Sequence, residues 1–97
     1  MTELQEVIHK VTAIKSRLQE EYKINAIGMF GSVLRGESKD TSDVDFLVEL
    51  DLEADLLDMI GLSQFLEEYL QCRVDVVPRS ALRPELRQRI LEEVKFL

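Results

Sequence analysis

The sequence predicts an α/β fold in which helices pack on a small sheet. Three segments have apolar side chains at the three- and four-residue spacing of amphipathic helices. Three shorter segments between them are either mostly apolar or alternate between apolar and polar side chains, which is typical of strands. The chain has 97 residues, a length that suits one domain with one core. We therefore expect residues 1–97 to form a single domain.

The predicted helices cover residues 4–22, residues 54–70 and a last segment in which Pro84 suits the first helical position. A shorter helix is expected after Gly31 and Ser32, because these residues follow an apolar strand and indicate a turn that leads into a helix. The apolar side chains with helical spacing in the three longer segments are Leu4, Val7, Ile8, Val11, Ile14, Leu18 and Tyr22, then Leu56, Leu57, Ile60, Phe65, Leu66 and Tyr69, then Leu86, Ile90, Leu91, Val94 and Leu97.

The predicted strands are residues 24–30, 44–50 and 73–77. The first is mostly apolar, so we expect it to be buried, and the second places alternate apolar side chains on one face. The third ends at Pro78, and the polar residues 36–42 form a loop between the first two strands. The pattern does not reveal the directions of the strands. The order of elements therefore predicts an α/β sandwich without fixing the topology of its sheet.

Composition and charge narrow the kinds of function. A net charge of −7 disfavours stable binding to DNA or RNA, because such binding depends on Lys and Arg side chains that neutralise phosphates. Cys72 is the only cysteine and the chain has one histidine, which excludes an internal disulfide and a Cys/His zinc cluster. A metal site would therefore use oxygen ligands. The sequence has neither a signal peptide nor an apolar run near the roughly 18 residues of a membrane span, so we expect a cytoplasmic protein.

Five residues are expected to form one site. Gly31 and Ser32 can present backbone N–H groups and a hydroxyl to a phosphate at the start of a helix. Asp43 and Asp45 are two residues apart on a strand, so both carboxylates project to the same side. Asp75 lies among apolar residues, and a metal would account for a buried carboxylate if its strand neighbours that of Asp45. This arrangement predicts Mg²⁺ shared with substrate phosphates, and hence nucleotidyl transfer.

Each part of this site also has a simpler interpretation. Aspartates are common in turns, so Asp43 and Asp45 by themselves could be solvated residues at a loop-to-strand junction. Gly31 and Ser32 by themselves favour a plain turn with a helix cap. The prediction of a metal site depends on finding these residues together with Asp75.

Several arginines also have two interpretations. Arg35 could contact a phosphate, or it could stabilise its own loop by pairing with Glu37 or Asp40. Three arginines that recur every four residues have glutamates nearby, which favours a solvated, salt-bridged surface over a binding site. These three are Arg79, Arg83 and Arg87.

The spacing of the site residues resembles the signature of the DNA polymerase β-like nucleotidyltransferases. In that signature Gly-Ser is followed by ten intervening residues and Asp-x-Asp, as at Gly31, Ser32, Asp43 and Asp45. Asp75 is similar to the third carboxylate of the family. The resemblance covers residues 24–94, and the length of the chain is similar to that of minimal nucleotidyltransferase domains.

The resemblance implies a small mixed sheet flanked by helices and transfer of AMP from ATP to a hydroxyl. It also implies that Asp43, Asp45 and Asp75 bind Mg²⁺, as two ions, and that Asp75 helps to activate the nucleophile. The resemblance assigns nucleotide binding to Gly31 and Ser32, which would hold the β- and γ-phosphates, and to Arg35 and Ser42.

The resemblance further implies a protein partner. Many minimal domains of this family are antitoxins that adenylylate a tyrosine of a HEPN-domain ribonuclease toxin, so a hetero-oligomer is expected. The short chain agrees, because larger relatives use an additional helical domain to bind small molecules or RNA. Two alternatives are a non-catalytic nucleotide-binding module that neutralises a partner by association, and a small-molecule or RNA nucleotidyltransferase completed by a separate helical subunit.

Overall fold

A computed structural model describes residues 4–31, 33–36 and 43–97 of the chain. Its three long helices and the three predicted strands follow one another in the expected order, but the described residues contain no short helix between the first two strands, and a fourth strand follows the last helix. In that part of the chain, no helix is both long enough and apolar enough to span a membrane. The elements are α1 (Leu4–Tyr22), β1 (Ile24–Phe30), β2 (Val44–Leu50), α2 (Leu56–Leu70), β3 (Val74–Pro78), a 3₁₀ turn (Arg79–Ala81), α3 (Pro84–Glu93) and β4 (Lys95–Phe96).

The four strands form a mixed sheet in the order β3-β2-β1-β4. β1 is antiparallel to both β2 and β4, whereas β2 and β3 are parallel. The chain passes from β2 to its parallel neighbour β3 through α2, because parallel strands require a crossover connection. The mixed sheet with flanking helices confirms the predicted α/β fold.

The main core lies between one face of the sheet and the two helices α1 and α2. Alternation along β2 buries Val44, Phe46 and Val48 in this core, whereas Asp45 and Glu49 lie on the other face and are half-buried. Leu47 is also buried, but outside the main core cluster. The buried residues of the cluster are Val7, Val11, Leu18, Ile24, Ile27, Met29, Val33, Val44, Phe46, Val48, Leu62, Leu66 and Leu70.

The helical spacing predicted for α2 is correct, but only its second half faces the core as predicted, through Phe65, Leu66 and Tyr69. Leu62, Leu66 and Leu70 are buried, whereas Leu56, Leu57 and Ile60 are exposed. Each helical residue turns the chain by about 100°, so Ile60 lies almost opposite Leu62 on the helix surface. α2 therefore has apolar residues on both its inner and outer sides.

The C-terminal residues leave the helix earlier than predicted. α3 ends at Glu93 and Val94 caps it, so the predicted continuation of the helix to Leu97 is wrong. Residues 95–96 form β4 against β1, and the Leu97 N–H donates a hydrogen bond of 2.9 Å to the Ile27 carbonyl oxygen. A strand of two residues is too short to show a period in the sequence, and its pairing with β1 is not local.

Gly28 allows β4 to approach β1 closely. We expect Gly28→Ala to lower the free energy of unfolding by about 1–3 kcal/mol, because the added methyl group overpacks this contact. The new Cβ would lie 2.7 Å from Val94 Cγ2 and 3.1 Å from the Lys95 carbonyl oxygen. Urea unfolding followed by circular dichroism would measure the change.

Gly61→Ala is the matched control for this prediction. Its Cβ would lie 3.2 Å from a ring carbon of Tyr22, and alanine is favoured over glycine inside a helix by about 1 kcal/mol. We expect this variant to keep or gain stability. Equal losses in the two variants would contradict the close packing of β4 on Gly28.

Candidate functional site

The parallel pairing of β2 and β3 brings two of the predicted site residues together. Asp45 is the second residue of β2 and is paired in register with Asp75 of β3. Asp43 directly precedes β2. Asp45 is also paired with Phe30, the last residue of β1, so it lies next to the start of the loop that begins at Gly31. The expected proximity of the two strands is therefore present.

The three carboxylates differ in their exposure. Asp45 is half-buried, whereas Asp43 and Asp75 are exposed. The prediction that Asp75 is buried is wrong, because β3 is an edge strand and its polar side chain reaches water. Burial therefore favours a bound cation at Asp45 and gives no reason for one at Asp75.

The ionisation of Asp45 reflects this environment. Desolvation by burial, followed by the charges of Asp75 and Asp43, raises the pKa of the Asp45 carboxyl to about 6. Arg35 acts in the opposite direction and Glu93 adds a smaller increase. The negative charges around Asp45 are therefore only partly balanced by the protein itself.

A cation would balance this excess of negative charge. Among residues 4–31, 33–36 and 43–97, no three acidic, histidine or cysteine side chains are grouped closely enough to hold an ion by themselves. Mg²⁺ needs fewer protein ligands than three, because it is commonly held by one or two carboxylates together with water and substrate phosphates. Asp45 with Asp75 or Asp43 supplies oxygen ligands of the kind that Mg²⁺ prefers. The donor set therefore fits an ion that is bound together with a nucleotide.

Gly31 packs directly against this carboxylate. Its φ angle is 87°, in the left-handed region that favours glycine. A Cβ atom at this position would lie 2.1 Å from Asp45 Oδ2, far inside contact distance. Glycine thus lets the backbone after β1 pass beside the Asp45 carboxylate, which any larger residue would displace.

The segment after Gly31 is a turn, so the prediction of a short helix is wrong for the described residues. The Arg35 N–H donates to the Gly31 carbonyl oxygen and the Gly36 N–H donates to that of Val33, both at 3.2 Å. Val33 is buried and anchors the turn on the core, and Gly36 ends it with a φ angle of 75°. Ser32 and Ser42, two of the predicted nucleotide-binding residues, lie outside the described residues.

Arg35 connects this turn to the end of α3. Its guanidinium donates to a carboxylate oxygen of Glu93 at 2.6 Å. Glu37 and Asp40, the partners considered from the sequence, lie outside the described residues. Sequence reasoning missed Glu93 because the two residues are 58 positions apart and no local pattern relates them. The ion pair places a positive charge near Asp45 and fixes the turn against the C-terminal part of the chain.

The arginines near the C-terminus agree with the predicted solvated surface. Arg79 forms an ion pair with Glu49 of β2 and is largely exposed. Arg83 and Arg87 are exposed as well. Arg79 therefore lies four residues along β2 from Asp45, and an exposed ion pair of this kind adds little stability.

The charge repulsion at Asp45 should be measurable as a gain in stability when the charge is removed. The pKa of Asp45 is about 6 in the folded chain and 3.8 in an unfolded one, so ionisation of this group reduces stability as the pH rises between these values. Because water partly screens this half-buried group, we expect Asp45→Asn to stabilise the ligand-free protein by about 1 kcal/mol at pH 7. The gain should vanish near pH 4.

Urea unfolding at both pH values, with a chelator present, would test this. Asp51→Asn is the control, because Asp51 is exposed just beyond the other end of β2 and should change stability little. An Asp45→Asn protein that is less stable than the wild type at pH 7 would contradict the proposed repulsion.

Comparison with known proteins identifies the family of this site. The sequence model of the protein family described as nucleotidyltransferase domain matches residues 11–97. Protein adenylyltransferase MntA of Thermococcus cleftensis is 40% identical over 97 residues, which cover 100% of this chain and 98% of that protein. A solved structure assigned as a minimal nucleotidyltransferase is similar, with a TM-score of 0.87 and 35% sequence identity. The match covers 99% of this chain and 97% of the chain in that structure.

A toxin-antitoxin complex crystallised with AMP-PNP is also similar. It has a TM-score of 0.71 and 26% identity, covering 87% of this chain and 69% of the matched chain. The chain therefore belongs to the nucleotidyltransferase domain family, as the spacing of its site residues predicted.

Proposed function

We propose that this chain is a protein adenylyltransferase that transfers AMP from ATP to a hydroxyl of a HEPN-domain toxin, and so acts as the antitoxin. The observation that carries the proposal is the half-buried Asp45, which is paired with Asp75 and packed against the backbone of Gly31. The relative at 40% identity is named a protein adenylyltransferase, and the similar toxin-antitoxin structure contains an ATP analogue. Both support adenylyl transfer to a protein.

Asp43, Asp45 and Asp75 are the proposed ligands of Mg²⁺, as two ions. Mg²⁺, when bound, would neutralise the negative charge of the phosphates and lower the pKa of the acceptor hydroxyl. Asp45 is the central ligand in this proposal because it alone of the three is withdrawn from water. Asp75 lies on the edge strand, where the hydroxyl of a large partner can reach it.

The turn after β1 is the proposed triphosphate site. Gly31 and Ser32 would hold the β- and γ-phosphates, and Ser42 would contribute a hydroxyl from the segment before Asp43. Arg35 would position this turn through Glu93 and supply positive charge to the nucleotide. The acceptor oxygen then forms a bond to the α-phosphorus, its proton passes to a carboxylate or to water, and the bond to the β-phosphate breaks to release pyrophosphate.

Transfer of radiolabel distinguishes this reaction from other uses of ATP. The full chain would be incubated with Mg²⁺, the protein product of the neighbouring gene as candidate acceptor, and ATP labelled at either the α- or the γ-phosphate. We expect the α-label to appear on the partner and the γ-label to appear in pyrophosphate. Label from the γ-phosphate on the partner, or α-label on small molecules or RNA instead, would contradict the proposal.

A further inference from the structure

A second surface lies at the end of β2 that is remote from Asp45. It consists of Leu52, Leu56, Leu57 and Ile60, whose exposed fractions are 101%, 69%, 75% and 44%. We call these four residues the α2 patch. The largest apolar patch on a typical monomer covers about 300–600 Å² and is often functional, so an exposed apolar group of this kind is a candidate interaction surface.

The backbone that carries the α2 patch is well ordered by hydrogen bonds. Asp55 caps α2 by accepting from the Asp58 N–H, and Asp58 accepts from the Asp55 N–H, both at 3.0 Å. The Asp51 N–H donates to the Lys23 carbonyl oxygen at 2.8 Å, and the Ala54 N–H donates to that of Asp51 at 3.0 Å. The patch is thus presented on a fixed turn and capped helix, although α2 packs on the core through its other side.

The residues around the α2 patch are acidic. Asp51, Glu53 and Asp55 are exposed, and Asp58 lies 3.9 Å from Lys23. If two copies met through this patch by a two-fold axis, these like charges would face one another, which disfavours such a dimer. A partner protein whose surface complements the α2 patch would have an apolar centre surrounded by lysine and arginine side chains.

We propose that the α2 patch docks a partner protein through a basic-rimmed apolar face, and that this partner is the acceptor of the adenylyl group. The second part rests on the proposed function. From Asp45 to Leu50, β2 extends over five residues of about 3.3 Å each, or about 16 Å. A partner held at the patch therefore leaves the carboxylates accessible, and one of its hydroxyls can reach them from the edge of β3.

Binding in the absence of nucleotide tests the surface separately from catalysis. Isothermal titration calorimetry would compare the wild-type chain with Leu57→Arg, using the protein product of the neighbouring gene as the partner. We expect Leu57→Arg to weaken binding at least about 10-fold. The substitution removes an apolar contact and adds a positive charge, which the basic rim of the partner would repel. Leu57→Asp, which keeps the acidic character of the rim, should weaken binding less.

Leu86→Arg is the matched control, because Leu86 is a leucine that is 43% exposed on α3, outside the patch. It should bind like the wild type. In transfer assays, Leu57→Arg should raise KM for the partner at least about 10-fold and leave kcat unchanged, as expected when docking but not chemistry is affected. Thermal unfolding would check that Leu57→Arg and Leu57→Asp remain folded.

The two proposals fail in different ways. Normal binding by Leu57→Arg would overturn the docking surface even if adenylyl transfer occurs. Conversely, Leu57→Arg could weaken binding while even the wild type transfers no AMP to the partner. This result would support the docking surface and overturn the proposed reaction. Sedimentation without partner gives a third result: a wild-type dimer that Leu57→Arg dissociates would show that a second copy occupies the patch, which would overturn the proposal.

Discussion

Replacing Asp45 with asparagine should reduce the rate of adenylyl transfer at least about 10³-fold, corresponding to about 4 kcal/mol of transition-state stabilisation. Asparagine has the same shape, so the packing against Gly31 is preserved. It lacks the negative charge that Asp45 would provide, together with Asp75, for binding a cation. Single-turnover transfer of α-labelled AMP to the partner, at saturating ATP and Mg²⁺, would measure the loss.

Glu20→Gln is the control for this experiment, because it removes an exposed carboxylate of α1 that belongs neither to the carboxylate site nor to the α2 patch. Its transfer rate should equal that of the wild type. The Asp45→Asn protein should be inactive and yet more stable, a combination that misfolding does not produce. Unchanged transfer by Asp45→Asn would remove the carboxylate site from the reaction. Absence of transfer by every variant, with the partner still neutralised, would favour the non-catalytic binding module.

Adding a single methyl group at Gly31 should reduce transfer at least about 10²-fold, because catalysis is sensitive to displacements of about 1 Å in the groups that hold the substrate. The Cβ of Gly31→Ala would meet Asp45 Oδ2 at 2.1 Å, so either the turn or the carboxylate must move. Both are proposed parts of the nucleotide site. Transfer rates and nucleotide affinity, measured on the same preparation, would show the effect.

Gly36→Ala separates this contact from backbone strain. Gly36 has a similar φ angle of 75°, but a Cβ there would have no atom within 4 Å among the described residues. Both variants therefore place alanine in the left-handed region, and only Gly31→Ala displaces Asp45. We expect Gly36→Ala to retain most of its transfer activity. A comparable loss in both variants would attribute the effect to strain in the turn and contradict the importance of the Gly31 contact.

The parts of the fold that follow from local periodicity were predictable from the sequence. The spacing of α1 and the alternation of β2 gave the bounds that the structure has, Leu4–Tyr22 and Val44–Leu50. The sequence did not reveal that β3 pairs with β2 in parallel, because strand direction depends on the path of the chain through α2. It also missed β4, whose two residues are stabilised by distant residues of β1.

The site was predictable to a similar extent. The period of two in a strand and the family spacing identified Asp43 and Asp45, and the strand register brings Asp75 beside Asp45. The degree of burial was not predictable for Asp75, because it depends on the position of β3 at the edge of the sheet. Likewise, the pairing of Arg35 with Glu93 joins residues that are far apart in the sequence.

The outward side of α2 shows a further limit of periodicity. Leu56, Leu57 and Ile60 have helical spacing, which indicates a helix but does not reveal which of its sides is buried. Leu62, Leu66 and Leu70 provide the buried side in the structure. A group of apolar residues that folding leaves exposed together, such as the α2 patch, is a candidate surface for binding another protein.

The intact mass of the HEPN-domain partner tests the proposed function most directly. The partner would be incubated with ATP, Mg²⁺ and either the wild-type chain or Asp45→Asn. Its intact mass would then be measured by mass spectrometry. We expect the wild type to add one or more adenylyl groups to the partner and Asp45→Asn to add none. An unchanged partner mass with the wild type, or a gain that matches phosphate instead of AMP, would contradict the assignment of this chain as a protein adenylyltransferase.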